Sequence, residues 1–250
     1  MVAARNTISL QTFTKIISGN RTRKQKANIK FAIILYLCRK NMKQDCRKAS
    51  LIGICRLRPG TDGHGITTLV AFHGCPLRCK YCLNPECHNP DAKVKRMTPE
   101  EVMKELNRDE LYYIATKGGV TFGGGEPLLQ SLYIKEILDL GAKRWNVTIE
   151  TSLNVSRIHL ERLLPHFDEY IVDIKDMNPT IYESYTGKSN ELVKSNLKWL
   201  VENGMGNRVI CRIPLIPHYN TAIDQQNSQK ELADMGITRF DLFTYYKNIV

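Results

Sequence analysis

The sequence predicts an α/β protein built on parallel strands. Six β-rich segments alternate with five helical ones between residues 66 and 244, and such alternation demands parallel strands joined by right-handed crossovers. The residues with the most chemistry fall just after those strands, the face that carries active sites in parallel α/β architectures. A chain of 250 residues suffices for one substantial core. Periodicity alone leaves both a partly closed barrel and an open doubly wound sheet available.

In chain order, residues 51–57 and 66–72 are β-rich runs separated by RPGTDGHG, whose Pro, Asp and glycines make a turn. The second run feeds a cysteine-rich loop, residues 72–88, FHGCPLRCKYCLNPECH. Next, Thr98-Pro99-Glu100-Glu101 is a capping box with Pro at the first helical position, opening a helix through Val102, Met103 and Leu106. Strand 119–122, helix 127–140 stopped by Gly141, strand 146–150 and helix 156–164 follow. Strand 169–174, helix 191–203 stopped by Gly204, strand 208–213, helix 222–235 stopped by Gly236 and strand 239–244 complete the series.

Charge divides the chain. The net charge is +11, yet residues 1–50 hold twelve Lys or Arg against the single acid Asp45, leaving 24 bases and 24 acids for residues 51–250. The expected organisation is therefore a basic N-terminal extension, 1–50, poorly ordered or upstream of the true start, followed by one core domain, 51–250. A basic arm suits nucleic acid or an anionic membrane through counterion release, or is a solvated tail. Its apolar run, residues 31–38, is shorter than the roughly 20 residues a bilayer requires and lacks a signal-peptide cleavage site. Neither membrane nor nucleic acid is expected as a partner. Eight cysteines without a secretory signal point to a reducing compartment, the cytoplasm, with thiols as ligands rather than disulfides.

Cys75, Cys79 and Cys82 have C-x3-C-x2-C spacing. Three thiolates so placed can hold three irons of a cubane cluster and leave the fourth an open position. Cys87 and His88 offer an alternative, a closed four-ligand zinc site. The wider pattern favours the cluster. Gly124, Gly125 and Glu126 follow the second strand of the series, Glu150 and Thr151 end the third, and Asp173 to Lys175 end the fourth. Arg212 ends the fifth, and Tyr245 and Tyr246 follow the sixth. A zinc module has no use for such a rim.

The cysteine spacing, GGGE at 123–126, VDIKDMN around Asp173 and CRIPLIPHYN around Arg212 resemble the radical S-adenosylmethionine (SAM) superfamily. Within it, the chain resembles the glycyl-radical-enzyme activating family of the pyruvate formate-lyase-activating type, over roughly residues 51–247. Only about 41 residues separate Cys82 from Gly124, so the likeness is to the compact, single-cluster kind. It implies a partial (β/α)6 TIM-like barrel, a [4Fe–4S] cluster on Cys75, Cys79 and Cys82, and SAM as cofactor. It further implies one-electron cleavage of SAM's sulfur–C5′ bond and removal of a hydrogen from a glycine of a partner glycyl radical enzyme. A flavodoxin- or ferredoxin-type protein would donate the electron.

The same resemblance assigns SAM to Tyr81, Cys82 and Leu83, to Gly124, Gly125 and Glu126, to Thr151, to Asp173, Ile174 and Lys175, and to Arg212 and Tyr246. Lys175 would face the SAM carboxylate and Tyr81 the adenine. Tyr246 stands where the family has a histidine. Glu150, Thr151 and Asp173 match a monovalent-cation site, with Glu150 in place of the family's Asp. Two other readings stay available: a radical SAM enzyme for another peptide or small molecule, and a zinc-stabilised nucleic-acid-binding protein using the basic arm.

Overall fold

The computed structural model describes residues 48–245; the basic extension up to residue 47, and Tyr246, lie outside the described residues. The strands are β1 (Ala49–Pro59), β2 (Ile66–Phe72), β3 (Lys95–Met97), β4 (Gly119–Gly124), β5 (Asn146–Thr151), β6 (Glu169–Asp173), β7 (Val209–Leu215) and β8 (Arg239–Thr244). The helices are α1 (Pro99–Asn107), α2 (Glu110–Thr116), α3 (Ser131–Asp139), α4 (Arg157–Leu163), α5 (Pro179–Thr186), α6 (Glu191–Glu202) and α7 (Ala222–Asp234). All eight strands form one sheet in the order β3-β1-β2-β4-β5-β6-β7-β8. Every pairing from β2 to β8 is parallel, whereas β1 runs antiparallel to both β2 and β3.

Side-chain alternation decides between the two arrangements that periodicity left available. In β2, β5 and β7 the residues Val70, Phe72, Val147, Ile149, Val209, Cys211 and Ile213 belong to the main core. Their neighbours Leu69, Ala71, Glu150 and Arg212 line a cavity on the opposite face. With a side-chain period of two, one face of the sheet meets the helices and the other encloses the cavity. The turn between β1 and β2 folds over the cavity face of the sheet: the Asp62 carbonyl accepts from Thr121 Oγ1 on β4, Gly63 lies against Thr148 on β5, and Arg212 on β7 donates to the Thr61 carbonyl at 2.9 Å. The sheet ends at β3 and β8, so the barrel is partial.

The predicted punctuation is present. The Thr98 hydroxyl accepts from the Glu101 N–H at 3.3 Å, and the Glu101 carboxylate accepts from the Thr98 N–H at 2.8 Å, opening α1. Three elements escape the sequence reading: β3, α2 and α5. α5 nevertheless carries its own start and stop. Asn178 accepts from the Thr180 N–H at 2.9 Å, Pro179 opens the helix, and Gly187 ends it at φ 73°. Its apolar stripe is only two turns long, too short to register as periodicity.

Candidate active site

The cysteine loop leaves β2 and crosses to α5. The Arg78 N–H donates to the Thr186 carbonyl at 2.8 Å and the Lys80 N–H to the Tyr185 carbonyl at 3.1 Å. Arg78 also donates from Nη1 to the carbonyls of Cys75 and Leu77, at 3.0 and 3.2 Å. Leu77 is fully buried and anchors the loop. The three motif cysteines are half-buried free thiols that line one cavity of about 730 Å³. Burial pushes the Cys75 thiol up to about 12 and raises that of Cys79, against which the Lys175 ammonium works. A metal that takes these thiolates must displace protons.

Cys87 and His88 are turned elsewhere. The buried Cys87 sulfur faces the Phe72 carbonyl at 3.7 Å, and His88 Nδ1 lies 2.5 Å from Arg78 Nη1. Neither residue lines the cavity. Among the described residues no three His, Cys, Asp or Glu side chains stand close enough to hold one metal ion. A cubane asks less of its ligands, because each iron takes its own thiolate.

The turn after β4 is stitched to this loop by main chain. The Gly125 N–H donates to the Phe72 carbonyl at 2.9 Å and the Glu126 N–H to the Gly74 carbonyl at 2.8 Å. Gly124 has φ 94°, which favours glycine. A Cβ on Gly125 would run into the Gly74 carbonyl. The Glu126 carboxylate does not enter the cavity. It accepts from Thr151 Oγ1 at 2.7 Å, from the Ser152 N–H and hydroxyl at 2.9 and 2.6 Å, and from the Leu128 N–H at 3.2 Å. Burial raises its pKa while those donors oppose the rise. It ties the ends of β4 and β5 together.

The far wall is charged. Lys175 Nζ donates to Asp173 Oδ2 at 3.2 Å. Burial opposes the charge on Lys175, yet Asp173 and the Cys79 thiol hold its pKa above the usual lysine range. Arg212 Nη1 donates to Glu150 Oε1 at 2.8 Å. Burial pushes Glu150 up to about 7, with Arg212 opposing. Ile174 is fully buried and lies behind the wall. Tyr81 packs edge-on against Tyr185 and Tyr219, at centroid distances of 6.1 and 5.7 Å, and its carbonyl accepts from the Tyr245 hydroxyl at 2.5 Å. Leu83, 77% exposed, stands at the cavity's edge.

Cavity residues that the sequence reading passed over include Arg58, Asp62 and Tyr185. Arg58 forms an ion pair with Asp62, which is buried and receives the Thr121 hydroxyl on its carbonyl. An Arg and an Asp four apart inside a glycine-rich turn were the available signal.

A family profile described as the radical SAM superfamily matches residues 69–223. The pyruvate formate-lyase-activating enzyme of Clostridium pasteurianum is 35% identical over 190 residues, 74% of this chain and 77% of that protein. The chain belongs to the radical SAM superfamily, in its glycyl-radical-enzyme activating family. The (2S)-3-sulfopropanediol dehydratase activating enzyme of Klebsiella oxytoca is 30% identical over 220 residues, 64% of this chain and 69% of that one. Streptococcus suis SuiB shares the fold, with a TM-score of 0.54 over 71% of this chain and 39% of that one, at 17% identity. Membership brings a [4Fe–4S] cluster and SAM as cofactors. The residues of this radical SAM protein fit them: three thiols, a glycine turn without side chains and an ammonium face one cavity, and among the described residues no fourth thiol does so apart from the exposed Cys55 on β1.

Proposed function

We propose that this protein activates a glycyl radical enzyme, abstracting a hydrogen from a glycine of that partner. The observation that supports this most is the meeting of the Cys75, Cys79 and Cys82 thiols with the Gly124-Gly125 turn and Lys175 around one cavity in a barrel left open between β3 and β8. When bound, the reduced cluster and SAM supply a 5′-deoxyadenosyl radical as the hydrogen acceptor. The protein's part is placement. Cys75, Cys79 and Cys82 would hold the cluster as thiolates. The bare main chain of Gly124 and Gly125 lets the methionyl group approach, and Lys175 offers its carboxylate a charge-assisted hydrogen bond. Tyr81 presents an aromatic surface to the adenine, and its tyrosine neighbours shield that side from water. A glycine segment suits the open mouth because it lacks a Cβ and tolerates unusual backbone angles.

The named relatives activate different enzymes, so the family leaves the partner's identity to experiment. A flavodoxin- or ferredoxin-type protein serves as electron donor, and the cytoplasm as the site of action. No helix of the described residues is long and apolar enough to cross a membrane. The test is anaerobic incubation of reconstituted protein with SAM, a reductant and a glycyl radical enzyme, followed by electron paramagnetic resonance. A glycyl radical signal is expected. SAM cleavage without that signal, across a panel of such enzymes, would transfer the protein to another peptide or small-molecule substrate.

A further inference from the structure

Glu150, Thr151 and Asp173 are the residues matched to a monovalent-cation site, and in this protein each already has partners of its own. Arg212 Nη1 donates to Glu150 Oε1 at 2.8 Å, while Nη2 donates to the Thr61 carbonyl at 2.9 Å. Its Nε stands 3.5 Å from Asp241 Oδ2. Lys175 occupies Asp173 at 3.2 Å. The Thr151 hydroxyl gives its proton to Glu126 at 2.7 Å and accepts from the Leu153 N–H at 2.9 Å. One guanidinium thus gathers β5, β8 and the β1–β2 turn.

The extra methylene of glutamate over aspartate is what carries this carboxylate to the arginine. Gly123 gives it room: a Cβ there would stand 2.9 Å from Glu150 Oε2. Arginine keeps its charge at any physiological pH and presents a rigid fork of donors. A potassium ion at Glu150 would bring a second positive charge onto a carboxylate that already serves a guanidinium only 22% exposed, and like charges repel strongly in a half-buried place.

We propose that Arg212 is the built-in counter-cation of this rim, so that the protein binds SAM without a bound monovalent cation. The inference rests on the SAM reading above. It is tested by measuring SAM affinity of the reconstituted protein by equilibrium binding, at mildly alkaline pH, in potassium chloride and in tetramethylammonium chloride. The wild-type dissociation constant is expected to agree between the two salts within about twofold. Glu150→Asp withdraws the carboxylate from Arg212 and opens the site; its affinity is expected to be about fivefold or more weaker in tetramethylammonium than in potassium, the low end of site-to-site coupling. A wild-type affinity that drops fivefold or more without potassium overturns the proposal, and that arm needs no variant. Loss of SAM binding in both salts strikes the SAM reading itself, whereas dependence on potassium strikes only the role of Arg212.

Discussion

The loop that carries Cys75, Cys79 and Cys82 and the strand ends opposite it share one cavity but not one source of order. Main-chain bonds to Tyr185 and Thr186, and the buried side chain of Leu77, hold the loop, and its three thiols sit half-buried. The strand ends are tied by side chains: Glu126 takes four hydrogen bonds inside the protein, and Glu150 on β5 pairs with Arg212 on β7 over the intervening β6. The strand wall therefore keeps its shape by itself. The loop instead gains stability from what binds to it, since a ligand held only by the folded state stabilises that state.

The sharpest way to break this contrast is to remove the thiols. The Cys75→Ala, Cys79→Ala, Cys82→Ala triple variant should take up no iron and release no 5′-deoxyadenosine, while the metal-free protein melts close to the parent; a collapse of the apo fold would make the loop structural. On the opposite wall, Glu126→Ala strands the donors of Thr151, Ser152 and Leu128. At about 1–3 kcal/mol for each of the four unsatisfied donors, urea titration should show a loss of about 4 kcal/mol or more, which a purely ligand-binding Glu126 would not give.

Glu150 sharpens the contrast through pH. Burial lifts its pKa from the ordinary 4.5 to about 7 in the folded state, so the folded protein holds this proton more tightly than the unfolded chain. Stability from this group is complete below pH 4.5 and falls as pH rises toward 7, by about 3 kcal/mol at 1.36 per unit. Glu150→Gln should flatten that slope in denaturation series across the window. Where the two walls meet, Gly125→Ala drives a Cβ into the Gly74 carbonyl. It should cost about 1–3 kcal/mol and reduce iron uptake, read by metal analysis. Away from both walls, Thr98→Ala removes the cap of α1 for about 1 kcal/mol and should leave SAM cleavage unchanged.

Much of this was legible in local residue order. The Thr98 capping box, the glycine stops and the six parallel strands follow from short-range chemistry, and so does the spacing of the three cysteines. The arrangement of the charged rim was less so. GGGE marks Glu126 for SAM by its place in the turn but does not show where its carboxylate goes, which is to Thr151 and Ser152, some 25 residues away in sequence. Likewise, Asp62 reads only as a turn residue, yet the turn folds back over the sheet and its carbonyl accepts from Thr121 on β4.

The sequence by itself determined the alternation of the six parallel strands with five of the helices, the thiol triad and the family, because each depends on residues near one another in the chain. Only the tertiary structure decided which carboxylates face a ligand and which face an arginine. The pairing of β5, β6 and β7 brings residues 62 positions apart, Glu150 and Arg212, to 2.8 Å on one face of the sheet, and no linear pattern records which strands lie side by side.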